Sequence, residues 1–251
     1  MDGRSRSSFP VAAPVWMVGE RRVRLLDLGS GRGAFAQLLT EAAHEVFAID
    51  RDVARVAALG ERLGTRLHVA GQVEALPFLA CHFDVVTASQ TLHCFAPGLA
   101  LSEIARVLKP GGHLAVAYTT RDDTVPWVKR LISLMQQADP QSVTGDYGAA
   151  AVDAVVDSPY FEEVERASFR NWVPTSRAGL VAMVERRPST QQLEPAARTA
   201  LLQEVGALYD SSARSPEPLL LPFRVTCWRA VVDHSQLAAV DDDFGALEIR
   251  L

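Results

Sequence analysis

The sequence has few cysteines, few aromatic residues and no excess of positive charge. Its 251 residues include only three cysteines, Cys81, Cys94 and Cys227, and no CxxC pair. An odd number without that spacing argues against a zinc site, a redox motif or a disulfide framework, and it indicates a reducing cytoplasm. The six histidines are scattered along the chain, so no metal site is expected.

The charge balance and the apolar runs restrict the partners. A formal net charge of -5 argues against broad nucleic-acid binding, which needs clustered Lys and Arg, and it favours small-molecule partners. No segment approaches the roughly 20 continuous apolar residues of a membrane span. Arg4 and Arg6 precede an apolar stretch, but Pro10 and Pro14 interrupt it, which argues against a signal peptide. The composition does not define an oligomeric state.

The sequence has ample apolar residues, 48% of the total, and their periodicity alternates between strand and helix from residue 23 to residue 120. The predicted strands of this region are 23–28, 45–50, 66–70, 83–89 and 113–120. Short apolar strands separated by helices predict right-handed crossovers and a doubly wound parallel sheet. Beyond residue 120 the pattern predicts strands at 163–173 and 222–232 and helices at about 178–187 and 195–209.

The stretch RLLDLGSGRGAF, residues 24–35, places glycines at alternating positions between the first strand and the first helix. At such a turn the backbone bends sharply and a ligand can approach closely. Gly29, Gly31 and Ala34 satisfy the GxGxxG/A spacing of dinucleotide-binding proteins, so the glycines alone do not exclude NAD(P).

Two acids narrow the class of ligand. Asp27, at the end of the first strand, would oppose a pyrophosphate but would attract a cationic amino group. Asp50 ends the second strand, where an acid accepts the ribose hydroxyls of either ligand class. The pair favours a sulfonium amino-acid nucleoside over a dinucleotide.

Four stretches carry a resemblance to a known family, in the family's order: LLDLGSGRGAF, VFAID, VEALPF followed by FDVVTASQTLHCF, and LSEIARVLKPGGHLAV. The sequence resembles class I S-adenosylmethionine-dependent methyltransferases, in the type 11 group that includes ubiquinone-biosynthesis-like enzymes and, within it, a high-GC bacterial subgroup. The resemblance implies a seven-stranded Rossmann-like α/β sheet whose last strand is antiparallel, with a helical insertion over the substrate side. The expected organisation is an amino-terminal segment at 1–22, a methyltransferase domain at 23–231 with its helical cover at about 174–215, and an acidic tail at 232–251.

The resemblance also implies a set of residues that bind S-adenosylmethionine and its product S-adenosylhomocysteine. The methionine end would lie near the glycine-rich turn and the end of the fourth strand. The ribose would lie on Asp50. The adenine would lie between Arg51 and the loop after the third strand. The implied residues, in chain order, are Asp27, Gly29, Ser30, Gly31, Asp50, Arg51, Gln72, Val73, Ser89 and Gln90. Gln72 stands where the family usually has an acid, and its amide oxygen can still accept a hydrogen bond.

The acceptor side is predicted just beyond the fourth strand. Methyl transfer from sulfonium mainly requires alignment and a dry cavity, and a base only where the nucleophile keeps its proton. His93 is the candidate base, because imidazole titrates near neutrality; the alternative is that it only lines the pocket. The predicted pocket residues are Cys94, Phe95, Tyr118, Arg121 and Trp127, with Trp172 as a further candidate.

Two of these pocket residues carry more specific expectations. Cys94 stands where relatives commonly have an aromatic residue, which predicts a roomier pocket on that side. Arg121 would orient a substrate carboxylate or carbonyl, or else pair with its acidic neighbours Asp122 and Asp123.

The predicted function is methyl transfer to O, N or C of a small molecule, such as a secondary metabolite, without a metal. The alternatives are an NAD(P)-dependent oxidoreductase and a catalytically silent module that binds S-adenosylmethionine.

Relatives usually carry a longer leader that closes over the cofactor. The first strand here begins by residue 23, which predicts a more open site or a cover supplied by another segment.

Overall fold

A computed structural model of the protein describes residues 9–63, 67–138, 148–214 and 218–237. Within these ranges the chain forms a seven-stranded sheet. Its strands are β1 (Arg24–Leu28), β2 (Glu45–Asp50), β3 (His68–Ala70), β4 (Phe83–Ser89), β5 (Leu108–Arg121), β6 (Glu165–Thr175) and β7 (Leu219–Val231).

Helices connect most of the strands. They are α1 (Ala12–Val18), α2 (Ala34–Glu41), α3 (Val53–Leu63), α4 (Pro97–Val107), α5 (Pro126–Ala138), α6 (Ala149–Val156), α7 (Arg177–Glu185), α8 (Pro188–Gln191) and α9 (Pro195–Ser212). Short 3-10 turns occur at Val73–Ala75, Leu92–Cys94 and His234–Gln236.

The strand order is β3-β2-β1-β4-β5-β7-β6. The first five strands are parallel, whereas β7 lies between β5 and β6 and is antiparallel to both. The order reverses beside β1, and in open α/β sheets such a switch point lies next to the ligand crevice at the carboxyl ends of the strands. The arrangement confirms the predicted fold class.

Apolar side chains cover both faces of the sheet. One cluster packs α4 and α6 against the sheet, and a second packs α1 and α2 against the opposite face. A third cluster joins α5, α7 and α9 to Leu221 of β7. The segment that contains α7, α8 and α9 leaves the sheet after Thr175 and returns to it at Leu219. Thr175 and Leu219 pair with each other, at the edge of the sheet where β5 ends. The helical insertion therefore starts and ends at the carboxyl edge of the sheet.

The sequence did not predict α1. Ala13 and Met17 of this helix are completely buried, and His113 Nε2 on β5 lies 2.8 Å from the Met17 carbonyl oxygen. Pro14 is compatible with the helix because the first-turn N–H groups have no intrahelical acceptor.

Other element bounds differ from those predicted. Strand β5 begins at Leu108 rather than at His113, because Leu108 pairs with Phe83 across an irregularity in the β4 ladder. The short helix α8, between α7 and α9, was not predicted. Of the predicted tail, Val232 bridges to Phe161 and His234 Nε2 lies 3.1 Å from the Ala105 carbonyl oxygen. Residues 238–251 lie outside the described ranges, and the domain boundaries stay predictions.

Candidate active site

The glycine-rich turn joins β1 to α2 and lies against the end of β2. Gly29, Gly31 and Gly33 have φ angles of +64°, +55° and +74°, a region that side chains other than glycine seldom adopt. The backbone N–H groups of Gly29 and Ser30 donate to the Ile49 carbonyl oxygen at 2.8 and 3.2 Å. The three glycines are therefore needed for the backbone path itself.

The segment that follows β4 contacts this glycine-rich turn. A Cβ on Gly29 would lie 3.0 Å from Thr91 Cγ2 and 3.3 Å from Phe95 Cζ. The Thr91 hydroxyl donates to the Leu28 carbonyl oxygen at 2.8 Å. These contacts bring the predicted cofactor residues and the predicted acceptor residues together.

Asp27 is a buried carboxyl group, with a residue exposure of 1%. The hydroxyl of Thr87, its neighbour on β4, donates to Asp27 Oδ1 at 2.9 Å. Asp27 Oδ2 has no hydrogen-bond partner in the described part of the chain. Burial, opposed by the Thr87 hydrogen bond and assisted by the negative charge of Asp50, raises the pKa of Asp27 to about 7.

Asp50 accepts two backbone hydrogen bonds at the carboxyl end of β2. Gly31 N–H donates to Oδ2 and Asp52 N–H donates to Oδ1, each at 2.9 Å. A carboxylate oxygen has more than one acceptor position, so both oxygens retain the capacity to accept hydroxyl groups. Arg51, the next residue, is exposed.

The loop after β3 contains the predicted adenine residues. Gln72 is exposed and precedes the 3-10 turn, whereas Val73 is buried. Glu74 accepts the Ala96 N–H at 2.8 Å, so it links this loop to the start of α4. The carboxylate of Glu103 on α4 accepts the Leu76 N–H at 2.7 Å.

The end of β4 turns sharply after Ser89. Gln90 has a φ of +65°, and its N–H donates to the Ala117 carbonyl oxygen on β5 at 2.8 Å. This turn directs the chain over the glycine-rich loop and into the Leu92–Cys94 3-10 turn. Both Ser89 and Gln90 are half-buried and lie at the carboxyl edge of the sheet, as the sequence predicts.

His93 is exposed on that 3-10 turn, beside a cavity of about 340 Å³. Its imidazole lies against the Tyr118 ring, with 5.8 Å between the ring centroids. Of the described residues, those that line the cavity are apolar except for His93: Leu92, His93, Phe95, Pro97, Ala100, Leu101, Ala150 and Ala151.

The predicted pocket residues occupy different places. His93 and Phe95 line the cavity, whereas Cys94 is exposed, with its Sγ 3.5 Å from His93 Nε2. Tyr118 is buried behind His93 and does not line the cavity itself. Trp127 packs on the α5, α7 and α9 cluster, and Trp172, at the carboxyl end of β6, is 46% exposed.

Arg121 does not form an ion pair with its acidic neighbour Asp122 among the described contacts. One of its terminal nitrogens lies 3.7 Å from the Met183 sulfur on α7. Buried Asp122 pairs instead with Arg170 and Arg224, each at 3.0 Å. Burial opposes ionisation of Asp122, but the Thr124 hydrogen bonds and the two arginines outweigh it and lower its pKa.

Two threonines of the site were missed by the sequence reasoning. Thr87 satisfies one oxygen of Asp27, and Thr91 caps the glycine-rich turn. The sequence gives only a weak signal for these two residues, because threonine is also common in and after apolar strands for its β-propensity alone.

The donor set fits S-adenosylmethionine. Asp27 Oδ2 and Ser30 Oγ are buried oxygens with no hydrogen-bond partner among the described residues, and only the Gly29 carbonyl oxygen lies within 4 Å of a Cβ built on Gly31. Open space above the turn, a carboxyl group for an amino cation and a second carboxylate for a ribose suit a cationic nucleoside. No cluster of three or more His, Cys, Asp or Glu that could hold a metal occurs within the described ranges, and the metal-free mechanism stays a prediction.

The strand order, the glycine-rich turn and the two acids define a class I S-adenosylmethionine-dependent methyltransferase. In agreement, residues 26–116 match the family described as a methyltransferase domain. The matched residues extend from β1 into β5 and include the glycine-rich turn and both acids.

Similar proteins support the same assignment. An uncharacterized methyltransferase of Mycobacterium tuberculosis is 28% identical over 231 residues, 91% of each chain. A demethylmenaquinone methyltransferase of Beutenbergia cavernae is 38% identical over 105 residues, which are 41% of this chain and 42% of that protein. A solved structure from Anaeromyxobacter dehalogenans, described as a type II methyltransferase, superposes with a TM-score of 0.62 at 21% identity and covers 90% of this chain and 96% of its own.

Proposed function

We propose that this enzyme transfers the methyl group of S-adenosylmethionine to an O, N or C atom of a small-molecule acceptor bound beside His93. The buried carboxyl of Asp27 carries the proposal, because one of its oxygens has no hydrogen-bond partner in the part of the chain that the structure describes. This oxygen, two residues before the glycine-rich turn, would meet a cationic amino group. A dinucleotide would instead bring its pyrophosphate to this carboxyl, and the two negative charges would repel each other.

In this proposal, different residues bind the three parts of S-adenosylmethionine. Asp27, Gly29, Ser30 and Gly31 hold the methionine end, with Ser89 and Gln90 beside it. Asp50 holds the ribose. Arg51, Gln72 and Val73 border the adenine. When bound, S-adenosylmethionine supplies a methyl group on a positively charged sulfur, so the protein has mainly to align the acceptor and exclude water.

The acceptor side favours an apolar molecule. Seven apolar side chains and one imidazole line the cavity beside His93, and pockets of this size and character suit small organic molecules. A secondary metabolite is one acceptor of this kind. The demethylmenaquinone methyltransferase relative is named for a quinone precursor, and an apolar ring system would fit the same lining.

The partners and the compartment belong to the same proposal. A net charge of -5 supports small-molecule partners rather than nucleic acid or a membrane surface. No described helix has both the length and the apolar character that a membrane crossing requires. The three cysteines are unpaired, which is compatible with a cytoplasmic enzyme.

Calorimetric titration tests the cofactor part of the proposal. The protein is titrated at pH 8 with S-adenosylmethionine, S-adenosylhomocysteine and NADH, and the titrations are repeated on Asp27→Asn. Both sulfur nucleosides should bind the wild type, with an affinity about tenfold to a hundredfold lower in Asp27→Asn, since a hydrogen bond to a charged group contributes about 1.5–3 kcal/mol. Glu163→Gln, which removes one exposed negative charge ahead of β6, is the control and should bind like the wild type.

Two other results would overturn the proposal. Binding of NADH without binding of the sulfur nucleosides would indicate an oxidoreductase. Binding of S-adenosylmethionine without methyl transfer to any member of a broad acceptor panel would indicate a silent binding module.

A further inference from the structure

Two arginines lie next to each other on the last two strands, at the level where β5 ends. Arg170 on β6 is directly opposite Arg224 on β7, and Arg224 is opposite Thr120 of β5. Like charges that face each other across a sheet destabilise it. The buried carboxylate of Asp122 contacts both: Oδ2 is 3.0 Å from Arg170 Nε, and Oδ1 accepts from Arg224 Nη2 at 3.0 Å. One negative and two positive charges leave this cluster with a net charge of +1.

The two guanidinium groups have more donors than Asp122 can use. Each guanidinium carries five N–H groups, whereas a carboxylate has about four acceptor positions. The N–H and the hydroxyl of Thr124 also donate to Asp122 Oδ1, at 3.3 and 2.7 Å. Arg170 and Arg224 make no other hydrogen bond or ion pair with the described residues, and their side chains are 59% and 39% exposed. Several N–H groups of the arginine pair are therefore available to a ligand.

The arginine pair shares a face of the sheet with the wall of the acceptor cavity. Tyr118 on β5 pairs with Thr226 on β7. Arg224 is two residues before Thr226, so it lies on the same face, one row nearer to the carboxyl edge, and its Cα is about 8 Å from that of Tyr118. Tyr118 contacts His93, which lines the cavity. A molecule bound beside His93 would therefore extend toward the arginine pair.

We propose that Arg170 and Arg224 bind a carboxylate group of the methyl acceptor. This inference rests on the proposed function, in which the acceptor lies beside His93. The planar N–H fork of arginine matches the geometry of a carboxylate, and the single uncompensated positive charge matches one monoanion. The acceptor is an amphipathic organic acid, with its apolar body in the cavity and its carboxylate on the arginine pair.

A matched pair of probes tests this site in the ligand-free, full-length enzyme. The probes are 4-phenylbutyrate and its neutral amide, 4-phenylbutanamide, which have almost the same shape and differ in charge. Arginine Nε–Hε signals in ¹H–¹⁵N spectra at pH 6 report binding, and Arg170→Gln and Arg224→Gln identify the two signals. The acid should shift both signals and should bind about tenfold more tightly than the amide, because only the acid forms charge-assisted hydrogen bonds.

Two variants separate the arginine pair from a general effect of charge. Arg170→Gln leaves Asp122 its partner Arg224, and it should weaken binding of the acid about tenfold without changing binding of the amide. Arg166→Gln is the matched control. Arg166 lies on the same strand and the same face, four residues farther from the carboxyl edge, where its guanidinium stacks 5.6 Å from the Trp228 ring. This variant should bind the acid like the wild type.

The position of the phenyl ring tests the link to the acceptor cavity. Ring protons of the bound acid should show nuclear Overhauser effects to the methyl groups of Ala150 and Ala151, which line the cavity. Ring contacts to another part of the protein would overturn the assignment to the acceptor.

Other outcomes would show that the arginines only hold Asp122 in place. These are no binding of the acid, equal binding of acid and amide, and unchanged binding of the acid by a folded Arg170→Gln variant. An equal loss in Arg166→Gln would likewise overturn the proposal. The cofactor is absent from these measurements, so their outcome is separate from that of the calorimetric titration.

Discussion

The ionisation of Asp27 has a measurable effect on the stability of the ligand-free enzyme. The pKa of this carboxyl is about 7 in the folded protein, compared with an ordinary value of 3.8. At 1.36 kcal/mol for each tenfold change, this difference corresponds to about 4 kcal/mol. The folded state holds the proton more tightly than the unfolded state, so the free energy of unfolding falls as the pH rises from about 4 to about 7 and is then constant.

Replacing Asp27 with Asn separates this effect from the titration of groups that do not interact with Asp27. Asparagine has almost the same shape and does not ionise, so those groups titrate alike in the two proteins. The free energy of unfolding of Asp27→Asn, relative to the wild type, should therefore increase by about 2–3 kcal/mol between pH 5 and pH 8. Urea unfolding followed by circular dichroism at pH 5, 6, 7 and 8 measures this difference.

A control variant and the cofactor provide two further comparisons for this experiment. Glu163→Gln removes an exposed charge and should show no comparable change with pH. Saturating S-adenosylmethionine at pH 8 should stabilise the wild type more than Asp27→Asn, because the proposed amino cation would pair with the ionised carboxylate. A difference between Asp27→Asn and the wild type that is constant from pH 5 to pH 8 would refute the reasoning.

Three further predictions test other parts of the structure by urea unfolding. Gly33→Ala should lose more stability than Gly111→Ala, since both have φ near +75° but only at Gly33 does a Cβ overlap a buried leucine side chain; equal losses would contradict this. Asp122→Asn should lose about 1–3 kcal/mol at pH 7 because two arginines lose their partner, and the loss should shrink as the pH falls below 3.8 toward the lowered pKa of the folded wild-type carboxyl. Burial lowers the pKa of His113, which contacts Met17, so wild-type stability relative to His113→Gln should fall as the pH drops below 6.5, and a pH-independent difference would contradict this.

Local patterns in the sequence were sufficient to predict the parallel part of the sheet. Alternating apolar runs and the glycine-rich turn predict β1 to β5 and their helices, because each signal lies within a few neighbouring residues. The same turn and the acids Asp27 and Asp50 predict the cofactor side, since each follows its own strand directly.

The remaining features depend on contacts between distant residues. Helix α1 forms because Ala13 and Met17 are buried by the sheet, and their spacing alone does not show this. Asp122 pairs with arginines on β6 and β7 rather than with its neighbour Arg121, and that choice depends on the antiparallel register of the last strands. The burial of Tyr118 behind His93 likewise depends on how the end of β4 folds over β5.

The end of β4 connects the two halves of the site through one short segment. Thr87 contacts Asp27, Thr91 covers Gly29, and His93 borders the cavity, all within seven consecutive residues. The hydrogen bonds from Thr91 to Leu28 and from Gln90 to Ala117 fix this segment to the strands on either side. In the proposed function, a methyl donor held over the glycine-rich turn and an acceptor held beside His93 would therefore be positioned by the same backbone. This explains how alignment, the main requirement of the reaction, can arise from the sheet edge itself.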